Sequence, residues 1–350
     1  MSETQAQDTA SFVTFLNEVH PLIEDCLVAR APQPTSLGAE APDVQRYLYE
    51  PVLRFTTSAG KRVRPALCLL GAQAVGAARE KALAAAAAVE YFQAAALIHD
   101  DIADNGELRR GEPCLHIAEG VGLAINAGDG ALVNATATIL RDENIEPLIR
   151  LNLLEELIKL EEHTLEGQAL DLGWVRDKRW DLSTNDYLTM ATSKTAYYSA
   201  AMPLAMGARC GGGTAEQVEG LRAFGMQCGL AFQIQDDLLN LVGDTASSDK
   251  DYRTDITEGK RTLVMVWALE HLDAPERAEL VELLSSQTSD PEKLSRAVEI
   301  TREVGALDYA KDYARTLTEQ AKQGLDQLVI ADEARIVLRS MADFFIARSH

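Results

Sequence analysis

The sequence predicts an all-α fold, a single large helical bundle around a central apolar cavity. Three observations lead there. Apolar residues recur at intervals of three and four through most of the 350 residues. Sustained alternation with a period of two is almost absent, and so is any rhythm of strands alternating with helices. Hydrophobic residues make up 47% of the chain, enough for one sizeable core. No composition break divides 1–350, so one domain is expected, with residues 1–10 disordered.

The elements follow in order. Phe12, Phe15, Leu16, Val19, Leu22, Ile23 and Leu27 make the apolar face of a first helix over 11–30. A Pro-bearing loop over 31–42 separates it from a second helix, about 44–57, in which Pro51 marks a kink or restart. Gly60-Lys61-Arg62-Val63-Arg64 is a basic loop, and Pro65 suits the first turn of the helix after it. The run ALAAAAAVEYFQAAALIH up to His99 reads as a buried helix, because Ala and Leu are strong helix formers. Asn105 to Pro113 is a loop, followed by helices over about 122–140 and, starting at Pro147, to about Leu172. Asp181 to Thr184 resembles a capped start. The next helix reaches Lys194, Pro203 kinks the one after it, and Gly211 to Gly213 is a stop. A long helix covers 215–241. The polar segment 243–259 is expected to be mobile, and helices with breaks at 273–275 and 289–291 complete the chain.

The formal net charge is −21, which argues against nucleic acid and against an anionic membrane surface as partners. No run approaches the ~18 uninterrupted apolar residues of a membrane span, and MSETQAQDTA lacks a secretory pattern. The five cysteines form no CxxC pair, which points to structural thiols and a reduced, cytoplasmic setting.

The chemistry centres on Leu97-Ile98-His99-Asp100-Asp101-Ile102-Ala103-Asp104. Asp100 and Asp104 are four residues apart, so they lie on one helix face. Two such carboxylates repel each other unless a cation joins them, and Mg²⁺ prefers oxygen ligands shared with a substrate phosphate. Arg109 and Arg110 follow closely, so metal and guanidinium together suit a diphosphate. A partial echo lies 136 residues on, at Ile234-Gln235-Asp236-Asp237-Leu238-Leu239-Asn240. Both stretches end apolar helices and are placed to face each other across a bundle, with a diphosphate at the mouth and an apolar tail inside.

The set of motifs is more specific than either acidic stretch. GKRVRP at 60–65, LIHDDIAD at 97–104 with RRG at 109–111, GQALD at 167–171, Lys194-Thr195, FQIQDD at 232–237 and DITEGKRTL at 255–263 occur in the order found in one family. Over about 46–348 the chain resembles the trans-isoprenyl diphosphate synthases, or polyprenyl synthetases, and among them the geranylgeranyl diphosphate synthases. The resemblance implies the isoprenoid synthase fold, usually homodimeric. It implies a Mg²⁺-dependent prenyltransferase that condenses isopentenyl diphosphate with an allylic diphosphate. By the same resemblance Asp100, Asp104 and Asp236 ligate Mg²⁺, and Arg109 binds the allylic diphosphate. Lys194, Thr195, Gln233 and Lys260 line its path, and Lys250 helps close the 243–259 segment over it. Lys61, Arg64, Gln93 and Arg110 hold isopentenyl diphosphate.

Two positions depart from the pattern. Asn240 stands where Asp is usual; its amide oxygen can ligate Mg²⁺ but brings no charge. Gln93 stands where a histidine is often found, on the same face as Asp100, and it can still donate a hydrogen bond. His99 reads as structural, since Mg²⁺ prefers oxygen. Ala95 and Ala96, where related enzymes often have the pocket floor, leave it open. Phe92, a turn deeper, is the expected floor and sets a product of C20 or slightly longer. The alternatives are a longer-chain synthase, a class I terpene cyclase and a non-catalytic synthase subunit. The cyclase is disfavoured because its second metal motif is missing, and the subunit because the first acidic motif is intact.

Overall fold

The computed structural model describes residues 3–35, 41–242 and 253–347, with side chains from residue 11 onward. Lys250, most of the 243–259 segment and the side chains of the N-terminal ten residues lie outside that description.

The Ala-rich run becomes α4, Leu83–Ala103, preceded by a 3₁₀ turn at Arg79–Ala82. Its small side chains let neighbours approach on several sides. α3 (Val63–Ala74) and α6 (Val121–Leu140) pack directly on it. The stretch 79–103 is long and apolar enough to cross a membrane, but 72% of its most apolar window is buried inside the protein. It is the core helix of the bundle.

Around it, α1 (Glu3–Ala29) packs on α15 (Asp332–Ala347), joining the two ends of the chain. Phe12 meets Phe344 at 5.4 Å between ring centroids, and the Phe12 N–H donates to Ser340 Oγ at 2.9 Å. α7 (Pro147–Arg176) and α9 (Ala215–Val242) flank α8, a continuous rod over 184–210. A second apolar cluster joins the C-terminal half of α9 to α11 (Leu263–His271), α12 (Ala274–Ser285), α13 (Pro291–Glu303) and α14 (Ala306–Asp326). α10 is the short turn Thr254–Thr257, and α5 is Leu115–Ala118.

Prolines shape two of these rods, and where the sequence marks a kink or restart at Pro51 and a kink at Pro203, both rods continue. α2, over 42–56, opens with an α turn, widens to a π-helix at Gln45–Tyr49 and returns to α at Glu50–Thr56. α8 runs α at Thr184–Ala191, π at Thr192–Ala201 and α at Met202–Cys210. Each π stretch ends two residues before a proline, Pro51 or Pro203. A proline offers no N–H to the carbonyl four residues back, and an i to i+5 register accommodates the gap without breaking the rod. The Met202 N–H accordingly donates to the Tyr197 carbonyl. Lys194 and Thr195 both lie in the widened stretch.

The loop expected at 105–113 contains a small hairpin, β1 (Leu108–Arg109) paired with β2 (Glu112–Pro113). Its turn residues Arg110 and Gly111 have φ of 57° and 82°, the signs of a type I′ turn. The hairpin turns Arg109 and Arg110 to different partners. The capped start at 183 is a full capping box: Ser183 Oγ accepts from the Asp186 N–H, and the Asp186 carboxylate accepts from the Ser183 N–H.

Candidate active site

Helix ends bring the acids together. Asp100 lies in the last turn of α4, and Asp104 caps its C-terminus. Gln168 on α7 donates to Asp100 Oδ1 at 2.9 Å, and Lys260 Nζ donates to Asp104 Oδ2 at 3.2 Å. Lys194 reaches across from the π stretch of α8 to Asp171 on α7, with Nζ 2.5 Å from Oδ2. Gly167, one turn before Asp171, packs on the Lys194 backbone so closely that any Cβ there would collide with it. That contact accounts for the glycine of the GQALD motif. Thr195 is buried beside Lys194.

The second acidic stretch connects to this group through Asp255 of α10, whose charge acts on Lys260. Asp236 is exposed, and its charge acts on Asp237 and on Asp255 of α10. Burial pushes Asp104 above its ordinary carboxyl value, with Asp100 adding to the push and Lys260 opposing it. Burial works against charge on Lys194, but Asp171 and Asp100 outweigh it and hold the ammonium above the ordinary lysine value. Lys260 behaves likewise, with Asp255, Asp104 and Glu258 as its counter-charges. Carboxylates crowded at one mouth and spanned by two lysines form the arrangement that a metal–diphosphate complex requires.

Among the described residues no three carboxylates converge tightly enough to enclose a metal alone. The donors are hard oxygens, and Asp100 and Asp104 sit one helical turn apart. They fit Mg²⁺ that completes its shell with water and diphosphate oxygens.

In both motifs the middle aspartate points away from the mouth. Asp101, buried, takes Arg109 through Nε at 2.9 Å and through Nη2. Asp237, also buried, accepts from Tyr187 Oη at 2.7 Å and from Gln233 Nε2 at 2.6 Å. Arg109 and Gln233 therefore enter the site already oriented by a buried acid. His99 turns to α6, its ring against Gly128 and its Nε2 3.5 Å from Asp129.

A second cationic group lies beside the first. Arg64 donates to Tyr198 Oη (2.9 Å) and Ser199 Oγ (2.8 Å), and its guanidinium sits 4.4 Å from the Tyr198 ring centroid. Arg110 donates to Ser58 Oγ at 2.7 Å, and Lys61 lies 5.9 Å from the Phe344 ring centroid. Gln93, with its amide oriented to satisfy both neighbours, donates to Glu90 Oε2 and accepts from Arg64 Nη1. Arg62 is a buried brace with φ of 50°, donating to Glu24 (2.5 Å), Glu90 (2.6 Å) and the Ser58 carbonyl (2.8 Å). Burial lowers the Arg110 guanidinium, and Arg62, Arg109 and Arg64 add to the effect against Glu90. An anion relieves that crowding. A cavity of about 100 Å³ opens between Lys61, Arg64, Ser199, Phe232 and Phe344.

Phe92 is 3% exposed and meets Tyr198 edge-on at 5.8 Å, while Ala95 is fully buried and Ala96 partly open.

Comparison with known proteins decides the family. A model described as Polyprenyl synthetase matches residues 45–301. The chain belongs to the polyprenyl synthetase family. Its relatives in that family include the short chain isoprenyl diphosphate synthase of Methanothermobacter thermautotrophicus, 39% identical over 297 residues (84% of this chain, 88% of that one). The geranylgeranyl diphosphate synthase of Methanosarcina mazei is 34% identical over 87% of this chain and 90% of its own. The geranylgeranyl pyrophosphate synthetase structure from Pyrococcus horikoshii superposes with a TM-score of 0.87 at 29% identity, over 96% of this chain and 98% of that one.

Several participants escaped the sequence reading. Asp171, Glu90 and Asp255 lay inside or beside quoted motifs, but no spacing rule distinguished them from surface acids. Glu90 had one signal: it sits three residues before Gln93, on the same helix face. Tyr198 and Ser199 had none, because their direction depends on the π register.

Proposed function

We propose that this family member is a Mg²⁺-dependent elongating prenyltransferase that joins isopentenyl diphosphate to an allylic diphosphate and releases a linear all-trans C20 product or one slightly longer. The observation that carries this reading is the pair of acidic helix ends meeting across Lys194 and Lys260, with a separate arginine group alongside. Two anion sites next to each other suit two diphosphate substrates.

Asp100, Asp104 and Asp236 would hold Mg²⁺, which supplies electrostatic stabilisation of the departing diphosphate. Lys194, Lys260 and Arg109 bind the same allylic diphosphate and stabilise the charge that grows on it as its C–O bond breaks. Asp171 and Asp101 keep two of these cations aimed. Lys61, Arg64, Gln93 and Arg110 hold isopentenyl diphosphate so that its double bond lies against the allylic carbon. The apolar face of α4 excludes water from the carbocation. The final proton passes to diphosphate oxygen, so no histidine is required.

A homodimer is part of the proposal. Leu148, Leu151, Ile158, Leu165 and Leu172 follow at three- and seven-residue steps along α7, and all are exposed, Leu165 to 68%. Val133 and Leu140 on α6 are exposed too. A continuous apolar stripe of this kind supports a second copy as its cover. Five buried cysteines outside any disulfide support a cytoplasmic location.

The test is direct. Purified protein with Mg²⁺, labelled isopentenyl diphosphate and each allylic primer yields linear C20 or C25 diphosphates, and chelator abolishes turnover. Cyclic hydrocarbon, or no turnover without a partner chain, overturns the reading.

A further inference from the structure

Asn240 ends the second acidic stretch where Asp is usual, and its amide oxygen is able to ligate a metal without adding charge. Its side chain is committed elsewhere. Asn240 Oδ1 accepts the Asp255 backbone N–H at 3.2 Å, and Nδ2 donates to Thr254 Oγ1 at 2.9 Å. Its backbone carbonyl accepts the Arg253 N–H at 3.0 Å. Three consecutive residues, Arg253 to Asp255, are thereby tied to the last turns of α9.

The tie leads on to a lysine of the mouth. The Lys260 N–H donates to the Asp255 carbonyl at 2.8 Å, closing α10 through Gly259 at φ 68°. Lys260 Nζ then reaches Glu258 at 2.6 Å and Asp104 at 3.2 Å. Ile256, fully buried, seats the turn in the second apolar cluster. Two backbone-length hydrogen bonds therefore separate the Asn240 amide from the lysine that spans the site. A neutral amide makes this tie without adding a further negative charge beside Asp236, Asp237 and Asp255.

We propose that Asn240 is a positioning residue and not a metal ligand: it registers the Thr254–Lys260 turn on α9 so that Lys260 meets Asp104. The consequence for turnover rests on the prenyl-transfer reading, whereas the tie itself does not.

Hydrogen exchange of the 253–261 segment in the metal-free protein reads the tie without any reaction. In Asn240→Ala these amides exchange about tenfold faster than in the wild type, the expected effect of removing the side-chain acceptor and donor together. In Asn240→Asp, which keeps an acceptor for the Asp255 N–H, exchange stays near the wild-type rate. In turnover, Asn240→Ala raises the KM for the allylic diphosphate about tenfold and leaves that for isopentenyl diphosphate within twofold. The Mg²⁺ concentration for half-maximal rate stays within about twofold in Asn240→Asp. Unchanged exchange in Asn240→Ala overturns the proposal. So does a tenfold or larger drop in the Mg²⁺ requirement of Asn240→Asp, the signature of a ligand gaining charge. If Asn240→Ala does not fold, Thr254→Val, which removes one bond of the tie, takes its place in the exchange measurement. If no form of the protein turns over, the enzymatic reading fails while the exchange result still decides the tie.

Discussion

Product length is where α4 makes a quantitative claim. On the proposed function, Asp100 and Asp104 at its end would hold the diphosphate through Mg²⁺, and the same helix runs back past Ala96 to Phe92. Phe92 lies four residues from Ala96 and eight from Asp100, about 6 and 12 Å along the axis at 1.5 Å per residue. An isoprene repeat adds four chain carbons, about 5 Å at ordinary carbon–carbon bond lengths. One helical turn of α4 therefore measures close to one C5 unit. Phe92→Ala removes the ring that stands edge-on to Tyr198 and opens the next turn, where the residues are Ala88 and Val89. The product lengthens by one to two C5 units. The substitution also empties buried volume, at a cost of about 3–5 kcal/mol, so the assay runs at low temperature with folding confirmed by circular dichroism. Phe92→Leu, at less than about 1.5 kcal/mol, moves the distribution less. Labelled products are dephosphorylated and separated by reversed-phase thin-layer chromatography. If folded Phe92→Ala gives the wild-type distribution, α4 does not measure the tail at Phe92.

Other expected outcomes follow from single contacts. Glu90→Gln leaves the buried Arg62 guanidinium with Glu24 as its remaining counter-charge, so urea denaturation shows a loss of about 1–3 kcal/mol, and the KM for isopentenyl diphosphate rises while that for the allylic substrate holds. Ile158→Glu with Leu165→Glu places charges in the exposed stripe of α7, and light scattering finds monomer in place of dimer. Asp142 gives a pH dependence: burial raises its carboxyl, but Arg30 at 2.7 Å and the Asn144 N–H more than reverse this and hold it below 3.8. A group depressed in the folded state stabilises above its unfolded value, and that contribution disappears as pH falls through the folded value. Asp142→Asn therefore loses less stability than wild type between pH 6 and pH 3, as measured by urea midpoints.

Much of this was legible in the chain. Alanine content and three–four periodicity marked α4 and α9, because helix propensity and burial of one face are local properties. The capped start at 181–184 was readable for the same reason, since Ser183 satisfies an N–H three residues on, and the breaks at 273–275 and 289–291 prove to be caps at Asp273 and Asp290. The acidic pairs and the basic motifs could be matched as a set. Their partners could not. Whether Lys194 meets Asp171, whether Arg109 belongs to Asp101 and which way Asn240 turns are decided by residues 8 to 23 positions away and by the packing of separate helices.

The sequence by itself determined an all-α bundle, the family and the order of its acidic and basic motifs, because these rest on short-range spacing. Only the tertiary structure decided which aspartates face the mouth and which are buried anchors, and that Asn240 holds a turn. Those outcomes depend on helix register, including the π stretch that carries Lys194, and a one-residue change of register rotates every side chain on a helix by about 100°.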